Sequence, residues 1–139
     1  MITQTLCNIF KLNLLKGLED FDPASSSVYK IALYDGFANL DADTTAYTTS
    51  NEITGGGYTA GGEVLTKVTP SLSESTAIVT FDTVTWNPAT FSARCALIYN
   101  SSTNAAVAVL DFGSTKTASG TFTITFPPAT ASSAIIRIG

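Results

Sequence analysis

Histidine is absent from this chain of 139 residues, and cysteine occurs only twice. Without an imidazole the chain has no Ser-His-Asp or Cys-His nucleophilic site and no histidine-based zinc or copper site. Cys7 and Cys95 form no Cys-x-x-Cys pair, which excludes a thiolate metal cluster. Cys95 lies in an apolar strand pattern and is expected as a reduced, buried thiol, with a disulfide to Cys7 left open. We expect no metal and no cofactor.

Charge is also scarce. Charged residues make up 13% of the chain, against about 25% in an ordinary soluble domain, and the net charge is −4. The few Lys and Arg residues lie far apart, which argues against nucleic acid as a partner because binding of the phosphate backbone needs clustered basic side chains. The longest apolar run, Ala105 to Leu110, is too short for a membrane-spanning helix, and the N-terminus lacks a basic region. Neither a membrane partner nor a signal peptide is expected.

Threonine replaces much of the missing charge, with 22 residues. It is β-branched and half polar, so it suits strands that have one face in water. A surface poor in charge also tends to associate, because colloidal repulsion is weak. The composition indicates a β domain that is either of the secreted type or packed in an assembly.

The apolar patterns predict one domain over residues 1–139, with an N-terminal helical segment in residues 1–22 and a sandwich over 28–139. Phe10, Leu14 and Leu18 recur at a spacing of four residues, with Ile9 beside Phe10, and Gly17 fits a C-terminal cap, so a short helix is predicted. About eight short strands separated by turn signals predict an all-β, antiparallel β-sandwich of the jelly-roll type. The expected strands are Val28–Tyr34, Glu63–Val68, Thr76–Phe81, a run around Val84 and Trp86, Ala93–Tyr99, Ala106–Phe112, Thr121–Phe126 and Ala134–Gly139.

Alternation within the strands predicts which side chains face the core. In Thr76–Phe81 it places Ala77, Val79 and Phe81 on one face. Because Val84 and Trp86 follow in the opposite phase, a bulge or bend is expected at Asp82–Thr83.

The segment from Tyr47 to Gly62 holds five of the ten glycines, two tyrosines and one charge. It is too rich in glycine for a helix and too poor in apolar residues for a core strand, so a loop is predicted. Its one match to a dinucleotide fingerprint, Gly55-x-Gly57-x-x-Ala60, is followed by a strand pattern instead of a helix and is rejected. We interpret the loop as a surface that lies against another subunit, with Tyr47 and Tyr58 as candidate interface residues.

Three weaker motifs have structural interpretations. Asp41-Ala42-Asp43 lacks the further ligands of a calcium loop and is interpreted as a polar turn. The sequon Asn100-Ser101-Ser102 is interpreted as a polar hairpin tip, and Trp86 as core or interface instead of a sugar platform. No carboxylate pair has a spacing that singles it out for glycosidase chemistry, so we do not expect an enzyme.

Six stretches of the sequence, taken in order, carry a resemblance to a known family. They are Phe10–Gly17 with Asp20–Phe21, Tyr29–Tyr34, Tyr47–Gly62, Phe81–Trp86, Ala96–Asn100 and Val109–Gly113. In order and character they resemble small virion structural proteins of tailed bacteriophages, and the chain is most similar to the capsid cement, or decoration, protein of short-tailed phages. The resemblance implies a β-sandwich made in the host cytoplasm and located on the outer surface of the virion capsid. There it would form homodimers or homotrimers and clamp neighbouring copies of the major capsid protein.

Alternatives remain open for the function and for the helix. A receptor-binding or head-fibre module that recognises the host surface is the alternative function, because tyrosine with Ser, Gly and Asn is typical of recognition loops. A carboxylate-based hydrolase acting on polysaccharide is a third hypothesis. Phe10, Leu14 and Leu15 form an apolar stripe that either docks on a partner or covers the end of the chain's own sandwich.

Overall fold

The computed structural model describes residues 1–139 and is mostly β, with one short helix and antiparallel sheets. No helix in it has the length and apolar character needed to cross a membrane. The elements in chain order are β1 (Thr5–Leu6), α1 (Asn8–Leu15), β2 (Tyr29–Tyr34), β3 (Glu63–Val64), β4 (Ser71–Ser73), β5 (Thr76–Val79), β6 (Val84–Ala89), β7 (Ser92–Asn100), β8 (Ala105–Thr117), β9 (Gly120–Ile124) and β10 (Ile136–Ile138).

The predicted helix and its end at Gly17 are confirmed. Gly17 has a φ of +71°, and its N–H donates to the carbonyl of Leu14 at 3.1 Å. The N–H of Leu18 donates to the carbonyl of Asn13 at 2.9 Å. These two bonds form a Schellman motif, which satisfies carbonyls that a helix end would otherwise leave free.

The largest sheet has the strand order β1-β8-β7-β2-β3. Its centre is the antiparallel pairing of β2 with β7, which runs from Tyr29 opposite Asn100 to Tyr34 opposite Cys95. Both strands are buried along nearly their whole length, and Ser92 is their one exposed residue. The predicted hairpin between β7 and β8 is also confirmed, with Asn104 at a φ of +65° in the turn.

Two smaller sheets have the orders β10-β5-β4 and β6-β9. In the second of these, Trp86 pairs with Phe122 and both side chains are buried. The hydroxyls of Thr85 and Thr123 lie 3.3 Å apart on the exposed face. Polar and apolar residues alternate in the sequence of Thr121–Phe126, which predicts one face in the core and the other in solvent or at an interface, and this prediction is confirmed.

A single cluster of 32 buried residues draws on α1 and on all three sheets. Aromatic pairs are prominent in it: the ring of Phe21 stacks on Tyr29 at 4.4 Å, and Trp86 meets Phe122 edge-on at 5.9 Å. Such pairs add about 0.5–1.5 kcal/mol each to the stabilisation from burial alone. Cys7 and Cys95 are both free thiols inside this core, as expected for Cys95.

The face predicted for Thr76–Phe81 is confirmed in part: Val79 packs against the core cluster and Phe81 belongs to it, whereas Ala77 faces solvent. Ile78, on the other face of the strand, is also buried. The strand ends at Val79, and Phe81 enters the core after the chain has left the strand. The expected bend at Asp82–Thr83 lies where the chain passes from the sheet of β5 to the sheet of β6.

The strand predicted for Glu63–Val68 is shorter than expected, because β3 ends at Val64. Beyond it, the ammonium of Lys67 donates to the carbonyl of Ser27 at 2.6 Å and to the hydroxyl of Ser25 at 2.9 Å. Lys67 therefore holds the segment that precedes β2 instead of extending the strand ladder.

Candidate functional site

The segment Tyr47–Gly62, here called the glycine loop, is bonded to strands of its own chain. The N–H of Ile53 donates to the carbonyl of Leu33 in β2 at 3.1 Å. On the other side, the N–H of Thr90, between β6 and β7, donates to the carbonyl of Gly56 at 2.8 Å. The loop is thus held between two sheets of the same molecule.

Two glycines allow the loop to approach these strands. At Gly57, with a φ of +92°, a Cβ would lie 2.1 Å from the carbonyl oxygen of Pro88. At Gly62, with a φ of +80°, it would lie 1.8 Å from the carbonyl oxygen of Ile31. Neither distance leaves room for a side chain, so both positions require glycine for contact as well as for backbone conformation.

The carboxylate of Glu52 ties the loop together. Its Oε1 accepts a hydrogen bond from the hydroxyl of Tyr47 at 2.6 Å. Its Oε2 accepts from the hydroxyl of Tyr58 and from the N–H of Gly61, the latter at 2.8 Å. We call these four residues the Glu52 cluster. Hydrogen bonds to a carboxylate are about twice as strong as neutral ones, so the cluster fixes the loop's shape.

The five-stranded sheet contacts the Glu52 cluster through β2 and β7. The hydroxyl of Tyr58 accepts a hydrogen bond from the N–H of Leu33 in β2 at 3.0 Å. The hydroxyl of Tyr99 in β7 donates to the carbonyl of Gly61 at 2.7 Å, and its ring stacks on Tyr47 at 4.7 Å. Glu52 and its tyrosines therefore link the loop to two central strands.

Burial is the main cause that raises the pKa of each tyrosine here. For Tyr58 and Tyr47, the hydrogen bond to the Glu52 carboxylate raises the pKa further, because ionisation would break it. For Tyr99 burial raises the pKa to about 12, with a smaller effect from the charge of Glu52. The hydroxyls remain protonated at neutral pH, where they act as donors and supply no phenolate base or nucleophile.

The two tyrosines predicted as interface residues differ in exposure. Tyr58 is buried, and its ring lies 6.4 Å from that of Trp86 and 6.0 Å from that of Phe91. Because this chain's own side chains cover Tyr58, we do not retain it as an interface candidate. Tyr47 is half-buried and keeps part of its surface in solvent.

The three residues of the helix that were predicted as interface residues also differ in exposure. Phe10 is fully buried and meets the ring of Phe21 at 5.9 Å, so it serves the chain's own core and is not retained as an interface residue. Leu14 is half-buried. Leu15, by contrast, is 89% exposed and remains available to a partner. The two alternatives for the helix therefore apply to different residues of it.

Helix α1 and strand β10 border an open groove of about 510 Å³, here called the α1–β10 groove. Ile138, on its far wall, is 56% exposed. In the sheet, both Leu72 of β4 and Ile138 pair with Ala77, so the three side chains share one face. Leu72 is 75% exposed. The apolar surface thus continues from the helix across the face of this sheet that also carries the buried Ile136.

Sequence reasoning missed Leu72 and Ile138 as surface residues and Glu52 as the centre of the loop. Leu72 lies between two serines, and alternation would assign such a leucine to the core. The one usable signal for Glu52 was that it is the only charge in the loop. Its partners Tyr47, Tyr58 and Gly61 lie within the same loop, but at separations that match no helix or strand period, so no local pattern reveals the contacts.

The weaker motifs have structural roles within the chain, although the buried indole N–H of Trp86 has no hydrogen-bond partner. Trp86 is buried, and the N–H of Asp43 donates to Oδ1 of Asp41 at 2.9 Å in a polar turn. Asn100 is not a solvent-facing hairpin tip, because its side chain is buried and its Nδ2 donates to Oε1 of Glu19 at 2.7 Å. This contact, and not a glycan, occupies the amide of the sequon.

Comparison with protein-family models, with curated protein sequences and with solved structures finds no match for this chain.

Proposed function

We propose that this chain is a capsid cement protein, which binds the outside of a phage head and stabilises contacts between major capsid subunits. The observation that supports the proposal is the apolar surface formed by Leu15, Leu72 and Ile138, which is continuous across α1 and the sheet of β10, β5 and β4. Contiguous exposed apolar surface of this kind marks sites of protein association. It is suited to burial against a capsid.

We also propose that the sheets pack as an antiparallel β-sandwich. In this arrangement the five-stranded sheet forms one layer, and the sheets β10-β5-β4 and β6-β9 form the other. Support comes from the single buried cluster, to which all three sheets contribute side chains. The jelly-roll topology is a more specific proposal and rests on the resemblance to cement proteins alone.

The proposed partners are the major capsid protein and further copies of this chain, as a homodimer or homotrimer. The proposed location is the outer surface of the virion. An external clamp needs no catalytic group, and we propose that the chain is not an enzyme. It needs a rigid subunit with an adhesive face, and the Glu52 cluster supplies local rigidity.

The test is reconstitution on purified heads that lack the protein. We expect the added chain to bind in many copies per head, counted by quantitative mass spectrometry, and to raise the temperature at which the heads lose DNA. Leu15→Ser combined with Leu72→Ser should reduce the bound copies. Val64→Ser removes an exposed apolar side chain from β3, at the edge of the five-stranded sheet, and serves as the matched control. Only a handful of copies per virion would contradict the proposal.

The receptor-binding or head-fibre alternative was motivated by Tyr47 and Tyr58. Since Tyr58 is buried, Tyr47 is the one tyrosine of the glycine loop that offers a receptor part of its surface. Binding of the purified chain to host cells or host glycans would favour this alternative over the cement proposal, particularly if Tyr47→Ala removed the binding.

A further inference from the structure

The α1–β10 groove has a distinctive combination of apolar walls and positive charge. Lys11 and Arg137 are the only charged residues that line it, and no carboxylate does. The chain as a whole carries a net charge of −4, so this pair of cations stands out from its surroundings. The apolar residues that line it are Leu6, Phe10, Leu14, Leu15, Ile136 and Ile138.

Strand β10 offers a free backbone edge to this groove. It is the outermost strand of its sheet and pairs only with β5. Three consecutive residues, Ile136, Arg137 and Ile138, line the groove. Because successive side chains of a strand point to opposite faces, a groove lined by all three runs along the strand's edge. Such an edge presents unpaired N–H and C=O groups that accept another strand.

Neither cation is neutralised by the chain itself. The single ion pair of the structure joins Arg94 and Asp111, far along the sequence from Lys11. Arg137 donates only to the backbone carbonyl of Ser132, at 2.5 Å. If two copies paired through β10, their cations would meet like charges across the joint, which disfavours a second copy as the occupant.

We propose that the α1–β10 groove binds an extended segment of another protein, which adds as a strand to β10 and carries alternating apolar and acidic side chains. Main-chain hydrogen bonds to β10 supply affinity, and the alternating side chains supply specificity. The apolar side chains lie between Leu14 and Ile138, and the acidic ones pair with Lys11 and Arg137. This inference deepens the proposed function and rests on it for the partner, which is the major capsid protein.

Synthetic peptides test the chemistry without the capsid. The probe is a fluorescein-labelled octapeptide, Gly-Glu-Val-Glu-Val-Glu-Val-Gly, titrated with the full chain and followed by fluorescence anisotropy. The same peptide with Lys in place of Glu should bind about tenfold more weakly, because it loses two partly exposed ion pairs and meets like charge. A version methylated on alternate backbone nitrogens should also lose binding, because it cannot pair with an edge strand.

Charge reversal in the chain provides the complementary test. Lys11→Glu and Arg137→Glu should each weaken binding of the Glu peptide and strengthen binding of the Lys peptide. Lys116→Glu changes the net charge equally at an exposed site on β8 and should alter neither. The ammonium of Lys11 makes no hydrogen bond or ion pair, so its variant remains informative if loss of the Arg137 contact to Ser132 disturbs the fold.

Several results would overturn this inference. Equal binding of the Glu and Lys peptides would do so, as would unchanged binding after backbone methylation. A dimer of the pure chain that Lys11→Glu dissociates would assign the groove to a second copy. If heads bind wild type and Arg137→Glu equally, the groove is not the site that binds the capsid protein, and the cement proposal is unaffected. Peptide binding without head binding would reject the cement proposal alone.

Discussion

The hydroxyl of Tyr47 donates to Oε1 of Glu52 at 2.6 Å, although neither residue belongs to a strand. The hydrogen bond closes the start of the glycine loop onto the residue that also holds its far end through Gly61. A segment that the sequence presents as a run of glycines and threonines is therefore organised around one carboxylate.

Tyr58→Phe should destabilise the chain more than Tyr47→Phe. The first change removes a donor to Glu52 and leaves the buried N–H of Leu33 without its acceptor, which should cost about 1–3 kcal/mol. The second removes one bond at a half-buried site and should cost about 0.5–1.5 kcal/mol. Free energies of unfolding from urea titrations measure both, and the reverse order would contradict the role assigned to the Glu52 cluster.

Gly62→Ala should be strongly destabilising, with Gly55→Ala as its matched control. Both glycines have a positive φ, but a Cβ at Gly55 has no neighbour within 4 Å, whereas one at Gly62 lies 1.8 Å from the oxygen of Ile31. The control should cost about 1–2 kcal/mol from backbone strain alone. Gly62→Ala should add a further cost of about 1–3 kcal/mol for the steric clash, read from the same denaturation curves. Equal losses would mean that the close approach to β2 does not matter.

Glu19→Gln should change how stability depends on pH. Burial raises the pKa of Glu19 above its ordinary value of 4.5, and its Oε2 has no hydrogen-bond partner. Because the folded state holds the proton more tightly, this carboxyl favours folding most below pH 4.5 and less as the pH rises through the raised pKa. The unfolding free energy of the variant relative to wild type should therefore increase as the pH rises from about 4.5 to about 7. Parallel curves of unfolding free energy against pH would refute this.

The two thiols should be unreactive in the folded chain. Burial raises the pKa of both Cys7 and Cys95 to about 11, so little thiolate exists near neutral pH and reagents cannot reach it. A thiol-specific chromogenic reagent should label neither cysteine in buffer and both in denaturant. Fast labelling of one thiol under native conditions would show that its part of the core opens readily.

Phe10→Ala and Leu15→Ser should separate the two roles of the helix. Truncating the fully buried Phe10 should cost about 3–5 kcal/mol of unfolding free energy. Changing the exposed Leu15 should alter stability by about 0.5 kcal/mol or less and should still weaken binding to heads. Deleting residues 1–18 combines both effects and removes β1, so loss of head binding after that deletion would not by itself identify an anchor.

The elements that the sequence predicts well are those set by local patterns. Gly17 ends the helix because of its own backbone freedom, and the alternation around Phe122 survives because one face of β9 meets the core. The burial of Ile78 and the exposure of Ala77 in β5 escape prediction because the neighbouring strand β10, which pairs Ile136 with Val79, lies far along the chain. The groove escaped prediction for the same reason, since α1 and β10 come from opposite ends of the sequence.

Burial of the tyrosine side chains has a consequence for the ultraviolet absorption of the chain. All five tyrosines have raised pKa values with burial as the largest cause, including Tyr29 and Tyr34 outside the Glu52 cluster. In alkali the ultraviolet band of tyrosinate should stay weak while the chain is folded and rise sharply when it unfolds. The molecule thus carries an unlabelled chromophore that reports its own integrity, alone or on a particle.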